Sequence, residues 1–230
     1  MRFISKAAVA AFVVALTGCV APPQTPIPLA GTTLNNTARI GVVMTVLPPV
    51  EMNLPGAGCL LCLAAASIAN SSLSTHTKTL PYEDLPKLKN QVAAALGKKA
   101  KDVTVIETPL DLASLPDAAT KGPNLASKDF SSLQKKHGLD KLLVIEIKAV
   151  GMERTYSGYI PTGAPLSVLD GAGYLVNLSN NTYEWFKPVR VTRAADGNWD
   201  EPPKFPGLTN AYFQVLEMGK DEFVKPFTGQ

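Results

Sequence analysis

A chain of 230 residues that is 46% hydrophobic and carries a formal charge of +3 has enough apolar mass for one sizeable core. It is too apolar to stay disordered, and it lacks the basic excess that suits a chain to nucleic acid. Arg2 and Lys6 account for two of its 22 basic residues. Without the first eighteen positions, which hold no acid, the balance is 20 against 19 acidic residues.

Arg2 and Lys6 precede an apolar run from Ala7 to Leu16, and small residues follow it up to Cys19. A positive start, a short apolar middle and small residues before a cut mark a secretory signal. The run is about half the roughly twenty residues that a spanning helix needs. Leu16-Thr17-Gly18-Cys19 resembles the lipobox of bacterial lipoproteins. That resemblance implies a signal over residues 1–18, acylation of Cys19 by diacylglycerol and an amide-linked chain such as palmitate, and a mature N-terminus at that cysteine. More than one lipid chain is what stable anchoring requires. Val20 comes next. By resemblance to lipoprotein sorting in enterobacteria, the lack of Asp there implies the outer membrane and a periplasm-facing domain.

Residues 19–38 include four prolines, a composition that favours extended conformers and predicts a semi-rigid tether. The globular domain is predicted over 39–230. Ile40 to Leu47 is a β-branched apolar run of the kind that forms a strand buried on both faces. After Pro55-Gly56-Ala57-Gly58 comes a second apolar block, Cys59 to Ala69, rich in small residues and too short to span a bilayer. A block this apolar must be covered by the domain, by another subunit or by the bilayer, and cover within the domain is the first expectation.

Leu85, Leu88, Val92, Ala95 and Leu96 share one helical face, with Asp84 placed to cap the helix and Gly97 to stop it. Val103 to Ile106 reads as a strand. A second helix, with Ser127 as its cap and Phe130, Leu133 and His137 on one face, ends at Gly138. Lys141 to Val150 begins continuously apolar and ends alternating, the pattern of a central strand that emerges toward solvent. Gly173 to Leu178 and Thr182 to Phe186 flank Ser179-Asn180-Asn181 as a hairpin, and Val189 to Arg193 continues it or adds a strand. A last helix from about Thr209 carries Tyr212, Val215, Leu216 and Phe223 on one stripe. The whole predicts an α/β (α+β) domain with a single mixed sheet, in the order β-α-β-α-β-β-β-α.

Lys136 to Ile145 is a helix end feeding a buried strand, and Tyr174 to Trp185 is the later hairpin. Together they resemble the curli-secretion lipoprotein CsgG, the penicillin-binding-protein activator LpoB and the amino-terminal domain of TolB. The resemblance follows the element order from Ile40 to Phe223 and implies a non-enzymatic envelope lipoprotein, with a secretion or cell-wall accessory role. Its partners would be the membrane, through the N-terminal lipid, and either another envelope protein or copies of itself. It supplies no catalytic residue and no cofactor, and it does not include the block from Gly56 to Asn70.

Candidate chemistry is sparse. Cys59 and Cys62 form a C-x-x-C, which an exported chain is expected to hold as a disulfide. The alternative is a periplasmic thiol-disulfide protein built on that pair. His76 and His137 are too few for a zinc site. There is no G-x-S-x-G and no phosphate-cradling loop, so neither a hydrolase nor a nucleotide enzyme is expected. Tyr156, Tyr159, Tyr174, Tyr183 and Trp185 gather in the hairpin region with Arg154 nearby. Ordinary cross-strand packing accounts for such a group. The functional reading is an interaction face of Arg154, Tyr156, Tyr159 and Trp185.

Overall fold

The computed structural model describes residues 23–34 and 38–228, so the signal, Cys19 and Val20 lie outside the described residues. One mixed sheet organises the chain. Its central strand is β4 (Lys141–Glu153), joined in parallel to β1 (Arg39–Met44) along its first half and to β2 (Val50–Asn53) along its second. β3 (Asp102–Val105) lies outside β1. On the other side β7 (Leu166–Asn177) runs antiparallel to β4, and β8 (Thr182–Ala194) antiparallel to β7. The mixed α+β class with a single main sheet matches the expectation from the sequence.

Alternation along β4 separates two cores. Leu143, Ile145 and Ile147 face α4 (Leu88–Leu96) and α6 (Pro206–Thr228), which cover one side of the sheet with Val92, Tyr212, Val215 and Phe223. Leu142 and Val144 face the opposite way, onto α5 (Ser131–His137), Phe130 and Tyr174. Successive strand residues point to opposite faces, so a run that is apolar at every position has to be covered on both.

Several expectations are corrected in detail. Asp84 gives no side-chain cap and instead pairs with Lys220, a buried cation of α6 that also binds Glu217 at 2.7 Å. Ser127 does not cap α5; the Asp129 carboxylate accepts from the Ser131 N–H at 2.9 Å. Gly138 ends the helix in the left-handed region (φ 65°), as its position implies. His137 points to solvent rather than to the apolar face. Leu133 belongs to the core opposite Leu143.

The stretch read as a tether is docked over its second half. Ile27 exchanges backbone hydrogen bonds with Phe186 of β8 (2.8 and 3.1 Å). The short helix α1 (Gly31–Leu34) buries Leu34, and the Thr33 carbonyl accepts from the Lys141 ammonium at 3.1 Å. Alternating Ile27, Leu29 and Leu34 supply apolar contacts that the proline count conceals. Arg39 then enters the sheet, donating to Asp140 through its backbone N–H and its guanidinium. Those hydrogen bonds hold the Asp140 carboxyl below the usual carboxylate range.

Candidate functional site

The far end of β4 and β2 carries a pole whose two main segments lack charged residues. Residues 52–77 and 155–169 contain no Asp, Glu, Lys or Arg, and the fold brings the two segments together. Gly56 turns the chain at φ +87°, and a Cβ there would strike the Tyr156 carbonyl oxygen at 1.8 Å. Tyr156 N–H donates to Pro55 O at 2.8 Å, and Gly158 N–H donates to Gly56 O at 3.2 Å. The small hairpin of β5 (Tyr156–Ser157) and β6 (Ile160–Pro161) is thereby fixed beside α2 (Leu60–Ala69).

Cys59 is the N-cap of α2, with extended backbone and a sulfur that accepts from the Cys62 N–H at 2.9 Å. Cys59 and Cys62 are joined in a disulfide, as an exported C-x-x-C predicts. Cys59 faces solvent beside the Tyr159 hydroxyl at 3.9 Å, and Cys62 is buried.

At the junction of α2 with α3 (Ser71–Thr77) sits Asn70, a buried polar residue that the sequence reading passed over. Its amide nitrogen donates to Ala66 O (2.7 Å) and to the Tyr156 hydroxyl (2.6 Å), and its Oδ1 accepts from the Arg154 guanidinium (3.0 Å). Arg154 also donates to Gly163 O at 3.1 Å and lies 4.8 Å from the centroid of the Trp199 ring. A buried amide with its partners in place fixes one arrangement of the elements around it. The signal in the sequence was an Asn closing the apolar block ahead of Ser71-Ser72.

The candidate face therefore divides. Arg154, Tyr156 and Tyr159 belong to the pole, with Tyr156 buried as a structural post and Tyr159 exposed. Trp185 does not: it is 3% exposed, lies under Gly173 and meets Phe227 edge-on at 5.2 Å. Tyr174 and Tyr183 pack with Phe186 and Phe130 in the core on the α5 side. Burial beside Glu146 pushes the Tyr174 hydroxyl well above its usual range. His76 bonds to the Thr209 hydroxyl at 2.7 Å, and burial lowers its basicity. Among the described residues no group of three His, Cys, Asp or Glu could hold a metal ion.

The domain does not cover α2. Only Cys62, Ala66 and Asn70, a stripe one residue wide, reach the body, while Leu60, Leu61 and Ile68 are 89, 72 and 76% exposed. Of the eight large hydrophobic residues most exposed among the described ones, Leu60, Leu61, Leu63, Ile68, Tyr159 and Ile160 lie at this pole. Cover within the domain, the first expectation for this block, is overturned. Among the described residues no helix is long and apolar enough to cross a membrane.

No family model and no curated protein sequence matches the chain. Solved structures are similar at low identity. Protein XCC0632 from Xanthomonas campestris, of the DUF330 family, is 12% identical over 88% of this chain and 90% of its own, with a TM-score of 0.38. The PelC dodecamer from Paraburkholderia phytofirmans is 10% identical over 90% of this chain and 96% of its own, with a TM-score of 0.37. Lipoprotein GNA1162 from Neisseria meningitidis is 14% identical over 79% of this chain and 99% of its own, with a TM-score of 0.28.

Proposed function

We propose that the chain is a non-enzymatic envelope lipoprotein, held to the outer membrane by lipid on Cys19, whose uncharged pole docks protein in the periplasm. The observation that carries this reading is the exposure of Leu60, Leu61 and Ile68 on a helix that the domain leaves uncovered. Interface cores are depleted of charge and enriched in aromatic residues, and a patch of this size on a soluble domain marks an interaction site. The lipobox supports the anchor, and Val20 supports the outer membrane. The resemblance to the curli-secretion and cell-wall-activator lipoproteins supports an accessory role in secretion or wall synthesis.

The anchor is tested by Cys19→Ala, which should abolish fatty-acid labelling and either release the domain to the soluble fraction or leave it as unprocessed precursor. A variant that still incorporates labelled fatty acid would end the lipobox reading. Docking is tested by cross-linking in intact cells followed by co-purification, where a partner band should disappear when Leu61→Asp is introduced at the pole.

A second reading, thiol-disulfide exchange, is favoured by one observation: the Cys59 sulfur is exposed at a helix N-terminus, the position from which an attacking thiolate is stabilised. Thiol titration with and without reductant, alongside an insulin-reduction assay, separates the two. An inert disulfide without turnover is the expected result, and catalytic reduction of insulin would replace the first reading by the second.

A further inference from the structure

We infer that the uncharged pole is a self-association surface, and that a second copy of this chain packs on it with the two α2 helices antiparallel about a two-fold axis between Ala64 and Ala65. The inference rests on the docking reading above and names its occupant.

Area is the first reason. The exposures of Leu60, Leu61, Leu63, Ile68, Tyr159 and Ile160 together equal about four fully exposed large apolar residues, roughly 800 Å². Leu60, Leu61 and Ile68 on α2 supply somewhat more than half of it, and with the β5–β6 hairpin included the pole matches the share that each partner contributes to a stable interface of standard size.

The pattern of α2 is the second. With Cys62, Ala66 and Asn70 turned inward, the face turned away from the body centres on Leu61, Ala64 and Ile68, with Leu60, Ala65 and Ser67 toward its edges. Reversing the helix about a point between Ala64 and Ala65 exchanges Leu61 with Ile68 and Ala64 with Ala65. An isologous contact needs a surface complementary to itself. Here the alanines allow close approach of the axes at the crossing, and each Leu61 meets the partner's Ile68 on either side of it.

Position argues against lipid as the occupant. Ile27 pairs with Phe186, and through Tyr174 this level corresponds to Val144 of β4. From Val144 to Glu153 the strand advances nine residues, about 30 Å. The Gln24 amide donates to Asn124 Oδ1 at 3.1 Å, and Asn124 O accepts from the Tyr183 N–H at 2.7 Å, so the tether leaves near the start of β8, and Cys19 precedes Gln24 by five residues, at most about 17 Å of extended chain. A molecule standing on its anchor carries the pole away from the headgroups. Interfacial helices also use Lys or Arg along their polar face, and α2 has none. The exposed apolar residues of α2 and the hairpin carry no charge and offer little handle for electrostatic choice among partners, whereas lipidation would hold copies of this chain in one membrane at high effective concentration.

The test uses the full-length protein in its membrane. In Ala65→Cys, with Cys19 acylated and Cys59 bonded to Cys62, the added thiol is the free one. Mild oxidation should give a covalent dimer at twice the monomer mass, and a cysteine at exposed Lys99 should give none. Ala65→Arg, which sets two guanidinium groups against each other at the axis, should weaken self-association by roughly a hundredfold or more. Light scattering on the detergent-extracted protein reads this directly, and circular dichroism should be unchanged because Ala65 is exposed. If Ala65→Arg perturbs the fold, the cysteine cross-link decides alone. A wild-type monomer, or an assembly that survives Ala65→Arg intact, overturns the inference. So does Ala65→Cys trapping a protein of another mass, an outcome that leaves the docking reading standing. Labelling of α2 by a photoactivatable lipid in place of any protein cross-link overturns both.

Discussion

Leu143→Asp is expected to unfold the domain. Leu143 sits in the central strand, 1% exposed, paired to Val42 in β1 and to Leu175 in β7. Its side chain lies in the core that α4 and α6 cover. A carboxylate there has neither a cationic partner nor water, so it either pays desolvation or stays protonated at the cost of an unsatisfied acid. The expected loss is about 4 kcal/mol or more, a large part of the 5 to 15 kcal/mol that stabilises a typical domain. Leu143→Ala, which leaves only a cavity, should cost about 3 kcal/mol. Urea titration followed by circular dichroism orders the three proteins, and an unchanged midpoint for the Asp variant would remove β4 from the core.

Gly151→Val should cost nearly as much by a different route. Gly151 is paired with Glu51 across the β2–β4 ladder and holds φ +135°, where side chains are strained. A Cβ would lie 2.2 Å from the Glu51 carbonyl oxygen and 2.9 Å from its nitrogen, so the obstacle is backbone and cannot swing aside. Relief requires β2 to leave β4. β2 leads into the Pro55-Gly56 turn and α2, and Thr77 at the end of α3 is bonded to Met152 at 3.2 Å, so the pole loses its footing along with the strand. A loss of about 3 kcal/mol, roughly 10 °C in melting temperature for a domain of this size, is expected. Gly163→Val, at a position with ordinary φ and open space, should melt within about 0.5 kcal/mol of the parent. Equal melting of the two variants would contradict the crowding at Gly151.

Legibility followed period. Val92 with its neighbours, Tyr212 to Phe223, and Lys141 to Val150 each repeat often enough for type and core face to be read from residues alone. β2 was missed because Val50-Glu51-Met52-Asn53 is short and half polar, and its partner lies about a hundred residues away. For the candidate site, the disulfide and the oddness of the second apolar block were legible. Its exposure was not, because composition records how apolar a helix is and says nothing about which neighbours arrive to cover it. Trp185 and Tyr159 show the same limit: both are aromatic residues of hairpins, yet one is roofed by α6 and the other stays 59% exposed. Arg154 could be named from sequence, but Asn70 and Trp199, which hold it, come from segments far from it in the chain.

Two margins of the sheet are poorly suited to strand addition. β8 forms one margin, where the outward N–H of Phe186 is already given to Ile27 and Pro188, two residues on along the same side, has no N–H to give. β3, at the other margin, offers only four residues and follows Lys98, Lys99 and Lys101. At those two margins the backbone offers another sheet little to pair with, so association there falls to side chains.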